Sequence, residues 1–141
     1  MLLAQPGVDL NVRGANGAST LMVYVFRDRE DVVSSLLQRG ANLNLQDVDG
    51  DTALHGAVKT GNTNVLRLLL ARDVNVNAQN KLGLTPLMWA GGYGQDKAAQ
   101  MLLERGADPH LSDAVGRTAA DWADREKHEE LAKFLRAAGK K

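Results

Sequence analysis

An all-α solenoid, built from helix pairs stacked side by side, is the fold this 141-residue sequence predicts. Three observations predict it. Glycine recurs at Gly17, Gly50, Gly83 and Gly116, 33 residues apart each time. A hydroxyl side chain follows two residues later, at Ser19, Thr52, Thr85 and Thr118. A leucine stands nineteen residues after each glycine, at Leu36, Leu69, Leu102 and Leu135. A fixed period of this length marks units that cannot bury their apolar face alone and must stack to do so.

Residues 1–6 read as the end of a second helix whose own repeat is cut away, since Leu3 aligns with Leu36 and Gly7-Val8-Asp9 with Gly40-Ala41-Asn42. The reading expects further chain upstream, and the start Met1-Leu2-Leu3-Ala4 is too short for a signal peptide. Residues 7–19 are a loop punctuated by Gly7, Gly14 and Gly17, with a turn signal at Asn16-Gly17. The equivalent loops cover 40–51, 73–84 and 106–117. The first helix of each repeat begins at the recurring hydroxyl, which caps exposed backbone N–H groups. Pro86 sits just inside one such start, where its missing N–H costs nothing. Gly61 and Gly94 end two of these helices with the positive φ a C-terminal cap prefers. Asp28 and Lys127 take that place in the outer copies, where the turn should be less comfortable.

The second helix carries the main apolar stripe: Val32, Val33, Leu36, Leu37; then Val65, Leu66, Leu69, Leu70; then Ala98, Met101, Leu102. That spacing lays the residues on one face. Thr20 to Phe26, TLMVYVF, is a strand by local propensity, but its register in the repeat assigns it to a first helix. Tyr24 stands where other repeats have Ala57, Ala90 and Ala123, so its ring needs the room at one end of the stack. The last unit reads as a cap. Arg136 replaces Leu37, Leu70 and Leu103, Ala120 replaces Leu21, Leu54 and Leu87, and Glu129 and Lys133 sit i, i+4 on a charged helix. One domain over 1–141 is expected: a remnant repeat and its loop at 1–16, full repeats at 17–49, 50–82 and 83–115, and a capping repeat at 116–141.

Composition and motifs then narrow the function. Seventeen basic and seventeen acidic side chains leave no net charge, so the basic footprint of a nucleic-acid binder is missing. No apolar run approaches the ~20 residues of a membrane span. With no cysteine there is no thiolate or disulfide chemistry, which suits either redox compartment; the cytoplasm is favoured without being specified. His55, His110 and His128 fall at different places in the unit and share no ligand spacing, so neither metal nor cofactor is expected. Gly91-Gly92-Tyr93-Gly94 matches no phosphate-binding motif and reads as a loosened helix end. Trp89 and Trp122, six residues after their marker glycines with Gly56 at the same place between, read as packing residues. No nucleophile, base or metal set clusters, so no enzyme is expected.

The cleanest copy of the unit runs from Gly83 to Asp108, GLTPLMWAGGYGQDKAAQMLLERGAD. With Gly-x-Thr-Pro-Leu, a short helix, a leucine-rich second helix and Gly-Ala-Asp, it resembles the ankyrin repeat, and the resemblance covers residues 7–139. It implies an ankyrin-repeat α-solenoid whose loops are β-hairpin-like fingers. It also implies a non-catalytic module that binds a partner protein through the concave face made by finger tips and the exposed flank of the first helices. The competing reading is a structural domain of a larger protein with no separate partner. Thr52-Ala53-Leu54-His55 matches the family's Thr-Pro-Leu-His, whose histidine bonds between repeats, whereas His128 reads as a solvated cap residue. Asn44 and Asn77, at the family's Val-Asn place, read as short amides bonding local backbone.

Carried over residue by residue, the binding face is expected at Phe26, Arg27, Val48, Asp49, Asp51, Lys59, Lys81, Leu82, Leu84, Tyr93, Val115, Arg117 and Arg125; Gln46 and Gln79 fall on the same face. Tyr93, Leu82 and Leu84 are its largest apolar groups, and an aromatic anchor within a polar rim is the usual anatomy of a hot spot. The alternative is that Leu84 and Tyr93 merely pack on each other. Two packing expectations complete the reading. The Trp89 indole uses the room left by Gly56. Leu21, Val25 and Val33 are less covered than Leu54, Val58 and Leu66, which leaves the N-terminal end to fray or to self-associate weakly.

Overall fold

In the computed structural model, which describes residues 10–140, each first helix starts from the same reciprocal cap. The side-chain oxygens of Ser19, Thr52, Thr85 and Thr118 each accept the backbone N–H three residues on, and that third residue accepts the cap's own N–H in return. The returning acceptor is a methionine sulfur in two copies, Met22 and Met88 at 3.4 Å, and His55 Nδ1 and Asp121 Oδ2 in the others. These bonds satisfy N–H groups that any helix start leaves without an intrahelical partner.

The helices in chain order are α1 (Thr20–Phe26), α2 (Glu30–Gln38), α3 (Ala53–Thr60), α4 (Thr63–Leu70), α5 (Pro86–Tyr93), α6 (Asp96–Glu104), α7 (Ala119–Arg125) and α8 (Glu129–Ala138). The TLMVYVF stretch is helical, because Leu21, Met22 and Val25 bury one face in the stack and override local propensity. Gly61 and Gly94 close α3 and α5 in the left-handed region, at φ 75° and 69°. Asp28 and Lys127 adopt the same region at φ 57° and 64°, at a cost of about 1 kcal/mol each. The odd-numbered helices pack along one row and the even-numbered along another. One apolar cluster runs between the rows from Ala18 to Leu135.

Leu21, Val25 and Val33 are no less covered than their counterparts; all six side chains are 1 % exposed or less. The expected fraying and self-association at that end therefore lose the residues they rested on. The remnant helix at residues 1–6 lies outside the described residues.

No strand forms among the described residues, and an isolated bridge pairs Arg13 with Ser19. The fingers are hairpin-like turns, in which the Asp47, Asn80 and Asp113 N–H groups donate to the Asp51, Leu84 and Arg117 carbonyls. Asp47, Asn80 and Asp113 each accept two N–H groups, from the residues two and four further on. Neighbouring fingers are joined backbone to backbone: the N–H groups of Val48, Lys81 and Ala114 donate to Asn16, Asp49 and Leu82 carbonyls at 3.0, 3.0 and 2.9 Å. This contact explains three of the four marker glycines. Gly17, Gly50 and Gly83 have positive φ, and a Cβ on them would lie 3.0, 2.9 and 2.7 Å from those same nitrogens. Gln46 and Gln79 also bridge fingers, donating to the Gln79 and Ser112 carbonyls, so part of the expected recognition face is scaffold.

Asn44 and Asn77 are structural but not local. Their Oδ1 atoms accept the Asn75 and Asp108 N–H groups of the next repeat at 2.9 and 2.8 Å, and the local turn is bonded by Asn42, Asn75 and Asp108. On the last repeat, Arg136 pairs with Asp121 and Asp124, and Lys133 reaches Glu130 rather than Glu129. These pairs are exposed and contribute less than about 1 kcal/mol each.

Candidate functional site

Where first helices meet, the residue nine after one marker glycine faces the residue six after the next. These pairs are Phe26 with Gly56, Lys59 with Trp89, and Gly92 with Trp122. A bulky group on one side meets a small or slender one on the other, as dense packing demands. A Cβ on Gly56 would lie 3.3 Å from Phe26 Cζ, so Phe26, not Trp89, uses that room. The Trp89 indole lies edge-on to His55 at 5.3 Å and to Tyr93 at 6.0 Å, with Lys59 Nζ 6.0 Å from its centroid.

The α5–α7 seam differs. Gly91 is buried, and a Cβ there would run into the Ala119 carbonyl oxygen, so the two backbones approach closely. The helix continues through Gly92 to Tyr93 and closes on Gly94, whose N–H bonds to Ala90 and Gly91. The stretch is therefore a continuous helix closed by a cap, not a loosened helix end, and Gly91 and Gly94 are packing positions. His128 is not simply solvated either: its ring lies over Gly94, where a Cβ would come within 2.7 Å of it. Gly92 places no side chain above α5, and an open groove of about 270 Å³ remains between Leu84, Met88, Trp89, Tyr93, Trp122 and Glu126.

Two polar anchors hold its walls. Asp113 Oδ2 accepts the Trp122 indole N–H at 2.9 Å. Burial opposes ionisation of Asp113, but bonds from the Arg117 N–H, the indole and the Val115 N–H outweigh it and hold the carboxyl below its usual pKa. Behind Leu84, buried His55 donates from Nε2 to the Leu84 carbonyl at 2.8 Å while Nδ1 accepts the Thr52 N–H at 3.1 Å. This is the bond between repeats that the sequence resemblance implied. Burial keeps the ring neutral and its pKa lowered, against the opposing pull of the Leu84 bond and of Asp51 and Asp47.

Of the residues expected from sequence, Leu84 and Tyr93 line the groove, and Lys59, Arg117 and Arg125 lie against its rings. Val48, Lys81, Leu82 and Val115 are exposed on the fingers. Phe26 and Arg27 belong to the end of α1, and Phe26 covers Gly56. Asp51 is half-buried and accepts from Asn80 Nδ2 at 2.9 Å, a structural contact between fingers. Asp49 sits with Asp47 and Asp51 in a cluster whose carboxylate oxygens come within 4.8 Å of one another. Asp47 Oδ1 there already accepts the Asp49 and Asp51 N–H groups. Met88, Trp89 and Trp122 were not among the expected site residues. Aligning the chain at an offset of 30 rather than 33 residues exposes the seam pairs that place both indoles.

Among known protein families, the description "ankyrin repeats (3 copies)" fits residues 1–80, 21–113 and 73–141. No curated protein matches the chain.

Proposed function

Because the chain belongs to the ankyrin-repeat family, whose repeats serve generally in protein–protein interaction, we propose that it binds a partner through its finger tips and first helices, centred on the α5–α7 groove. One observation carries the reading. Among the described residues, the large apolar side chains left exposed are Val12, Phe26, Val48, Leu82, Tyr93, Val115 and Phe134. All but Phe134 lie on fingers or first helices. Leu82 is 65 % exposed and Val115 68 % exposed at equivalent finger positions. No packing requirement of the stack keeps them apolar, and an apolar strip beside a groove is a contact surface in waiting.

The test uses a photo-crosslinking amino acid at Leu82, and separately at Arg72 beyond α4, in extract of the source cell. A discrete adduct from position 82, absent from position 72 and lost in Tyr93→Ala, is expected. The same variant should lose only about 1 kcal/mol of stability, since its ring makes one edge contact with Trp89. A sharp drop in melting temperature with the adduct intact would make Tyr93 part of the scaffold. No adduct from either position would favour the purely structural domain.

A further inference from the structure

We infer that the α5–α7 groove receives one bulky apolar side chain from a partner segment that carries acidic residues on either side of it. This rests on reading that face as the binding surface, and adds the chemistry of what binds.

Shape argues for a single anchor. The groove of about 270 Å³ lies at the small end of the roughly 300–1,000 Å³ range of sites for small molecules, and is the size for one large side chain. Its walls are the Leu84, Met88, Trp89, Tyr93 and Trp122 side chains over the bare backbone of Gly92. Apart from the Glu126 carboxylate the walls are apolar, so an uncharged polar anchor would find few partners there and its burial would go largely uncompensated.

Charge argues for acidic flanks. Lys59 Nζ lies 6.0 Å from the Trp89 centroid, and the Arg117 and Arg125 guanidinium carbons lie 5.1 and 5.6 Å from that of Trp122. None of the three forms a salt bridge with a described residue. Two carboxylates oppose them. Glu126 lines the groove, and Asp113 is already engaged by the indole and two backbone N–H groups. Aromatic walls with one carboxylate are also the materials of a site for a cation. Three cations already set against those rings repel such an occupant and attract an anionic flank.

The chain's two tryptophans both line the groove, so tryptophan fluorescence, excited selectively over that of the two tyrosines, reports on it alone. The probe is the peptide acetyl-Glu-Asp-Gly-Phe-Gly-Asp-Glu-amide, titrated to millimolar concentration. The controls carry Lys and Arg in place of the acids, or Ala in place of Phe. The acidic phenylalanine peptide should saturate the signal about tenfold tighter than either control, and raised salt should weaken it. Gly92→Leu should fill the groove and abolish the response while melting stays at or above the parent value. Tighter binding of the basic peptide would overturn the inference in favour of a cation site. Equal binding of the Phe and Ala peptides would overturn it as well. If no peptide binds but the Leu82 adduct still forms, this inference fails and the broader reading survives; loss of both sinks the two together.

Discussion

The seam between α1 and α3 and the seam between α5 and α7 use the same two positions of the repeat with the sizes exchanged. At the first, a ring from the earlier repeat, Phe26, covers a glycine of the later one, Gly56. At the second, a ring from the later repeat, Trp122, stands beside a glycine of the earlier one, Gly92. Phe26 lies at the end of its helix and becomes the exposed surface of its seam. Trp122 is held down by Asp113, and with Gly91 drawing the backbones together the space above Gly92 stays open. The difference shows that a repeat scaffold makes a groove by leaving out one side chain, with no change to the fold.

The sharpest way to break this comparison is Gly91→Ala. Its Cβ would meet the Ala119 backbone carbonyl, which cannot rotate away. The variant should lose about 3 kcal/mol despite the better helix propensity of alanine. Denaturant unfolding reads the loss, and amide exchange should show α7 loosening first. Unchanged stability would mean the close approach of α5 and α7 is not required.

Between the two seams lies the one held by His55, and this histidine should make stability titrate near neutral pH. Its pKa is lowered in the fold by burial, so the unfolded chain takes up a proton below about 6.5 that the native state refuses. Stability from this group is complete above that pH and falls on acidification, by at most about 1.4 kcal/mol per pH unit. Melting curves between pH 7.5 and 5.5 check it. His55→Met should flatten the slope, since methionine sulfur already caps α1 and α5 at this position. A slope that persists in that variant would place the titration elsewhere.

The Phe26–Gly56 pairing is tested by a double-mutant cycle. Gly56→Ala should change stability by less than about 0.5 kcal/mol, because helix propensity gains what the 3.3 Å contact with Phe26 loses. In a Phe26→Ala background the same substitution should stabilise by about 1 kcal/mol. In a Trp89→Ala background it should behave as in the parent. Coupling to Trp89 instead of Phe26 would reverse the assignment of that seam.

An effect of opposite sign is expected one residue from the largest. A Cβ on Gly92 meets only Trp122 Cε3, at the ordinary contact distance of 3.7 Å. Gly92→Ala should therefore stabilise α5 by about 0.5–1 kcal/mol, measured by thermal unfolding. A loss comparable to that of Gly91→Ala would show that both glycines are packing-critical.

How much was legible follows from how each feature is made. The caps at Ser19, Thr52, Thr85 and Thr118, the turns at Gly61 and Gly94 and the helical state of TLMVYVF depend on residues within one repeat or on equivalent places in several. A 33-residue register therefore finds them. Tyr93 and Leu84 were legible as candidates because the repeats disagree there. Trp89 and Trp122 stand at an equally variable place but were assigned to packing, since nothing inside one repeat says which side of an indole stays open.

By itself, then, the sequence determined the period, the helix pairs, the caps and the family, because backbone geometry repeats wherever the local residues repeat. The tertiary structure alone decided that Phe26 occupies the room beside Gly56, that Asn44 and Asn77 bond the next repeat, and that Leu21, Val25 and Val33 are fully covered. It alone opened the groove over Gly92. These outcomes depend on unlike positions from neighbouring repeats brought together by helix stacking. Complementarity of volume between unlike positions follows no period in the chain.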